Sequence, residues 1–144
     1  MSNSELGKAK SNLDQGDFKT ALMLYQKIIS TEPQAAIAYQ YASVALANLR
    51  SYTDALRMST KALELDPTLV IPHTTMAIVY DELGEKEKSR KEAKVALDKD
   101  PESSDALCCS GILSLIDNKL DDAAFYLEKA VKNDPSLYLA HYNL

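Results

Sequence analysis

SYTDALRMSTKALELDP, residues 51–67, reads as a helix with its own stop signal. Tyr52, Ala55, Leu56 and Leu63 recur at steps that gather them on one helical face, where a strand would need strict alternation. Asp66 and Pro67 close the segment, because proline disfavours helical backbone in the residue before it. The same acidic residue and proline recur in TEPQA, KDPES and NDPSL, so that Pro33, Pro67, Pro101 and Pro135 are spaced by 34 residues. Aligning on them divides the chain into units 2–35, 36–69, 70–103 and 104–137 without insertion or deletion, and 138–144 opens a fifth.

Each unit contains two apolar-periodic segments, predicting two helices of about 13 residues joined by a short turn. YQYASVALANL (39–49) is a first helix, with Tyr39, Ala42, Leu46 and Leu49 in phase. The fifteenth slot of the unit holds Gly16, Arg50, Gly84 and Asn118. Glycine and asparagine accept the left-handed conformation that ends many helices, and Arg50 is expected to hold it at a cost. Small residues recur where helices must approach: Ala9, Ser43, Ala77 and Gly111 at slot 8, and Ala21, Ala55, Ser89 and Ala123 at slot 20. Slot 27 holds Ile28, Ala62, Ala96 and Ala130. Phe18, Tyr25, Tyr39, Tyr52, Leu107 and Leu120 are expected to fill the spaces between them.

This pattern resembles the tetratricopeptide repeat, a 34-residue helix-turn-helix unit, over the whole chain. GDFKTALMLYQKIISTEP (16–33) and SYTDALRMSTKALELDP (51–67) match it closely. Lys86 and Ser89 depart from the usual aromatic and alanine, and Glu5 and Lys8 stand at usually apolar slots. The resemblance implies an all-α, right-handed α-solenoid of four units and a partial fifth.

Composition agrees with such an array. A chain of 144 residues with 46% apolar and 26% charged residues needs no disulfide or metal staple. Its net charge of −5 argues against a nucleic-acid or anionic-membrane binder. No cationic start precedes an apolar core, and CCSGILSLI (108–116) is too short to span a membrane, so a cytoplasmic protein is expected. No glycine-rich phosphate loop, HExxH or CxxC occurs, and no catalytic residue, cofactor or metal is expected. His73 and His141 share slot 4 and read as packing residues, and Cys108 and Cys109 as small apolar ones. DNKLDD (117–122) reads as a solvated turn and helix start, and KEKSRKEAK (86–94) as a solvated face with local ion pairs.

In this family the first helices line a concave face through slots 2, 5, 9, 12 and 13. Carried over, slot 2 gives Asn3, Ile37, Ile71, Asp105 and Leu139, and slot 5 gives Leu6, Gln40, Thr74, Cys108 and Tyr142. Slot 9 gives Lys10, Val44, Ile78 and Ile112; slots 12 and 13 add Leu13, Asp14, Ala47, Asn48, Asp81, Glu82, Leu115 and Ile116. Val44, Ile78 and Ile112 are expected to form an exposed apolar strip for an extended peptide or amphipathic helix, unless some of them are buried between adjacent units. Gln40, Asn48, Thr74 and Glu82 would add polar contacts. The carboxylate clamp of chaperone-binding members is not matched: its positions fall on Leu6, Lys10, Tyr41, Ile71 and Thr75, or on Gln40, Val44, Thr75, Asp105 and Cys109. A protein or peptide partner is expected. The alternatives are self-association through Leu139, Tyr142 and Leu144 of the unfinished fifth unit, or a substrate-recruiting role within a larger enzyme. Tyr138 to Leu144 should dock on the preceding helix, as the cut edge of a longer repeat protein.

Overall fold

A computed structural model of the chain describes residues 3–136. Among them are eight helices: α1 (Asn3–Asp14), α2 (Phe18–Thr31), α3 (Ala36–Asn48), α4 (Tyr52–Leu65), α5 (Ile71–Glu82), α6 (Lys86–Lys99), α7 (Ser104–Ile116) and α8 (Leu120–Asn133). Short turns make each odd-numbered helix an antiparallel partner of the next, and each pair stacks on the one before it.

The turns within pairs share one hydrogen-bond pattern. Ser51 donates its N–H to the Leu46 carbonyl at 2.9 Å, and Arg50 donates to Ala47 at 3.1 Å. Glu85 to Tyr80 and Gly84 to Asp81 repeat it at 2.8 and 3.0 Å, and Lys119 to Ser114 and Asn118 to Leu115 at 2.8 and 3.0 Å. This closure satisfies the orphan carbonyls of the first helix and requires a left-handed residue. That residue is Gly16, Arg50, Gly84 or Asn118, with φ of 82°, 63°, 80° and 58°. Arg50 therefore does adopt the expected conformation without glycine's freedom.

The turns between pairs explain why an aspartate precedes three of the four recurring prolines. Asp66 accepts the Thr68 N–H at 3.0 Å, Asp100 that of Glu102 at 3.0 Å, and Asp134 that of Ser136 at 3.1 Å. The carboxylate bridges the proline and fixes the bend, as an Asx turn does.

Packing obeys the small-residue slots. Ala9, Ser43, Ala77 and Gly111 are buried, as are Ala21, Ala55, Ser89, Ala123, Ile28, Ala62, Ala96 and Ala130. A Cβ added at Gly111 would lie 2.5 Å from the Leu127 side chain, so α7 and α8 meet as closely as backbone permits. Ser89 is buried too, and its hydroxyl donates to the Ala77 carbonyl at 2.7 Å, which lets serine replace alanine there. The larger residues divide: Tyr25, Tyr39 and Leu107 are buried, Phe18 and Tyr52 half-buried, and Leu120 is exposed. Successive odd-numbered helices touch one another, α1 with α3, α3 with α5 and α5 with α7, whereas the even-numbered helices make no comparable contact among the described residues. The stack therefore curves with odd helices inside and even helices outside, as in an α-solenoid.

Candidate interaction groove

The inner side is built by α1, α3, α5 and α7, and their contact decides which groove residues stay accessible. Gln40, Val44, Thr74, Ile78 and Cys108 are buried, Val44 and Ile78 retaining 5% and 6% of their surface. The expected exposure is thereby corrected at Val44 and Ile78, which are buried between adjacent units, whereas Ile112 keeps part of its surface. At these five positions slots 5 and 9 are closed in the seam between successive helices, whereas Leu6, Lys10 and Ile112 at the same slots keep accessible surface. Val44 joins the core formed by Ala9, Tyr25, Ala42 and neighbours, and Ile78 packs with Ala93, Cys109 and Leu113, against which Ile112 also leans. Thr74 donates to the Ile71 carbonyl at 2.7 Å, satisfying its hydroxyl internally.

The remaining groove residues frame this seam. Leu6 and Ile71 lie half-buried against the first core cluster, and Ile37 and Ile112 are also half-buried. Asn48 donates to the Val44 carbonyl at 2.9 Å, and exposed Glu82 accepts from the Tyr52 hydroxyl at 3.4 Å. Among the expected groove residues, the exposed apolar side chains are at the end of α7, where Leu115 is 46% and Ile116 49% exposed, one turn beyond half-buried Ile112. Tyr142, His141, Leu139, Leu144 and the docking expected of residues 138–144 lie outside the described residues.

A polar cluster crosses the groove from α1 to α7. Lys10 pairs with Asp14 at 2.5 Å and its ammonium lies 5.3 Å from the centre of the Tyr41 ring, which stacks on Tyr25 at 5.9 Å. Facing them is Asp105, whose Oδ1 is shut off from solvent and has no hydrogen-bond partner. Burial pushes its carboxyl up to about 7; Lys10 offsets part of this, while the charge of Asp134 adds to it. Burial also raises the Tyr41 phenol, and the Asp105 charge raises it further. Sequence reasoning placed Asp105 on the groove but gave no sign that its Oδ1 is buried without a hydrogen-bond partner, which depends on tertiary packing.

The cysteines and charged segments fall as follows. Burial pushes the Cys108 thiol up to about 12 and raises Cys109 as well, so neither supplies a thiolate. His73 contacts Glu92 at 2.7 Å between α5 and α6. Lys88 pairs with Glu85 at 2.6 Å and Lys94 with Asp98 at 2.8 Å, the local pairs anticipated for α6. Arg90 does more than solvate a face: it holds Asp81 of α5 at 3.0 Å and chelates Asp117, just beyond α7, through two nitrogens. Among the described residues no cluster of three His, Cys, Asp or Glu could hold a metal ion, and no helix is long and apolar enough to cross a membrane.

The family model described as tetratricopeptide repeat matches residues 6–69. Sperm-associated antigen 1 of Mus musculus is 30% identical over 103 residues, 72% of this chain and 11% of its own length. The chain spans 11–14% of the length of the curated relatives it matches. Among solved structures, a thermophilic TPR protein of Thermus thermophilus superposes with a TM-score of 0.73 at 24% identity, covering 88% of this chain and 71% of that one. YrrB, described as a TPR protein with an unusual peptide-binding site, gives 0.63 at 20% identity, covering 99% and 74%.

Proposed function

We propose that the chain, which belongs to the tetratricopeptide repeat family, is a non-enzymatic scaffold that binds a peptide or amphipathic helix along its inner face. The units 2–35, 36–69, 70–103 and 104–137 would each contribute one inner helix. One observation carries the reading: the inner helices carry accessible apolar side chains, half-buried Ile112 and exposed Leu115 and Ile116 of α7, together with the polar groups Asn48 of α3, Glu82 of α5 and, at the other end of α7, Asp105. Apolar anchors flanked by a few polar groups suit a helix or extended segment. The structural relative YrrB is described as having a peptide-binding site, which is consistent with this use of the fold. Substituting Ile112→Lys and Ile116→Lys together should abolish partner capture from native lysate while circular dichroism stays unchanged. Capture equal to that of the parent chain would remove the inner face from consideration.

The outer surface supports a second reading, self-association. Leu120 and Phe125 of α8 are each 62% exposed, and Val131 is 40% exposed. Light scattering after size exclusion tests it, and a strict monomer at high concentration would reject it.

A further inference from the structure

We infer that the inner face selects a ligand segment carrying a lysine or arginine side chain, with Asp105 as its anchoring carboxylate. This rests on the groove reading and names the chemistry of the partner. The first observation is charge distribution. The inner helices α3, α5 and α7 contain no lysine or arginine; their acidic groups are Asp81, Glu82 and Asp105, with His73 turned to Glu92 of α6. The basic residues of the second, third and fourth helix pairs stand on the even helices and their turns, so the part of the groove built by α3, α5 and α7 presents acidic groups alone, while α1 adds Lys8 and Lys10 together with Glu5 and Asp14.

The second observation separates Asp105 from the other two acids. Asp81 is held by Arg90 at 3.0 Å, and Glu82 accepts from Tyr52 at 3.4 Å. Asp105 Oδ1 is buried without a partner, a state that proteins rarely leave uncompensated. Lys10, the cation whose charge reaches it from α1, is committed to Asp14 at 2.5 Å and to the face of Tyr41. Asp105 as a whole retains part of its surface although Oδ1 itself is covered, so a group entering the groove would meet the residue and engage Oδ1 once the carboxyl turns toward it. A guanidinium or ammonium placed there would donate the missing hydrogen bond, beside an aromatic ring that itself favours cations. An anionic segment would meet Glu82 and Asp105 with no cation of α3, α5 or α7 to offset them, the one cation reaching Asp105 being Lys10 of α1, which already pairs with Asp14. The same charge pattern accounts for the unmatched carboxylate clamp, whose ligands are acidic.

A random peptide library selected on the 144-residue chain, with the Ile112→Lys, Ile116→Lys variant as counter-selection, tests the assignment. Groove-dependent binders should be enriched in lysine and arginine. For a labelled binder, Asp105→Asn should weaken affinity about tenfold, the size of a lost charge-assisted hydrogen bond. Replacing the peptide's cation by norleucine should cost the same factor, and the norleucine peptide should not distinguish Asp105→Asn from the parent; the first of these comparisons needs no folded variant. Groove-dependent binders without cation enrichment, or equal affinity for Asp105→Asn, would overturn the cation assignment and leave the groove reading standing. No groove-dependent binder at all would overturn both.

Discussion

Two residues hold conformations or environments that their chemistry resists. Arg50 sits at φ 63°, where a side chain costs about 1–2 kcal/mol, because the hydrogen bonds closing α3 require that geometry. Asp105 keeps a carboxyl out of water near the inner face. Its group is pushed up to about 7 by burial, against about 4 in an unfolded chain. A raised carboxyl adds stability that is complete below the unfolded value and is lost as pH climbs through the folded one. Tyr41 and Cys108, both raised by burial, stay protonated across that window. The thermal midpoint should therefore fall as pH rises from about 4 to about 7. Asp105→Asn should flatten this decline and be more stable than the parent at the upper end, as thermal circular dichroism would read. Asp66, Glu102 and Asp117 are lowered instead, chiefly by hydrogen bonds from Thr68, Lys129 and Arg90, so their contribution is lost only on acidification below the ordinary carboxylate range. An unchanged profile in Asp105→Asn would show that its carboxyl is hydrated after all.

At the scale of the element, the helix pair is set by contact distance. Gly111 in the middle of α7 gives up helix propensity worth about 1 kcal/mol relative to alanine. The Leu127 side chain occupies the space a methyl would take, and the Leu127 backbone nitrogen stands 3.3 Å from it. Overpacking of this kind costs about 1–3 kcal/mol, so Gly111→Ala should destabilise despite the better helix former. Combining it with Leu127→Ala should recover part of the loss, giving a coupling term above the ~0.5 kcal/mol of independent sites in a double-mutant cycle by urea titration. The slot 8 spacing made a small residue there legible in the sequence. Which side chain it accommodates was not, because that depends on how far α8 rolls toward α7.

At the scale of the molecule, the stack depends on contacts between neighbouring pairs. Arg90 is the clearest: from α6 it joins Asp81 at the end of α5 to Asp117 at the end of α7, with Lys86 3.8 and 3.9 Å from the same two acids. Asp81 is only 8% exposed, so removing its partner leaves a carboxylate with little water. Arg90→Met should cost about 2 kcal/mol, less than the ~3–5 of a fully buried pair because the guanidinium is a third exposed. Since each pair touches only its neighbours, the loss should appear first as faster hydrogen exchange in α7 and α8. Uniformly faster exchange over all eight helices would argue against a nearest-neighbour stack.

The sequence by itself determined the helices, their pairing and their left-handed turns, because those depend on spacing within 34 residues and on the conformational range of single residues. It assigned Ile112, Ile116 and Glu82 to groove slots, and all three keep accessible surface. Only the tertiary structure decided that Val44 and Ile78 lie inside the seam, that Asp105 Oδ1 is left without a hydrogen-bond partner, and that Arg90 joins two pairs. Burial at slots 5 and 9 depends on how tightly the stack curves. That curvature is the summed result of many small contacts between helices, and no single repeat encodes it.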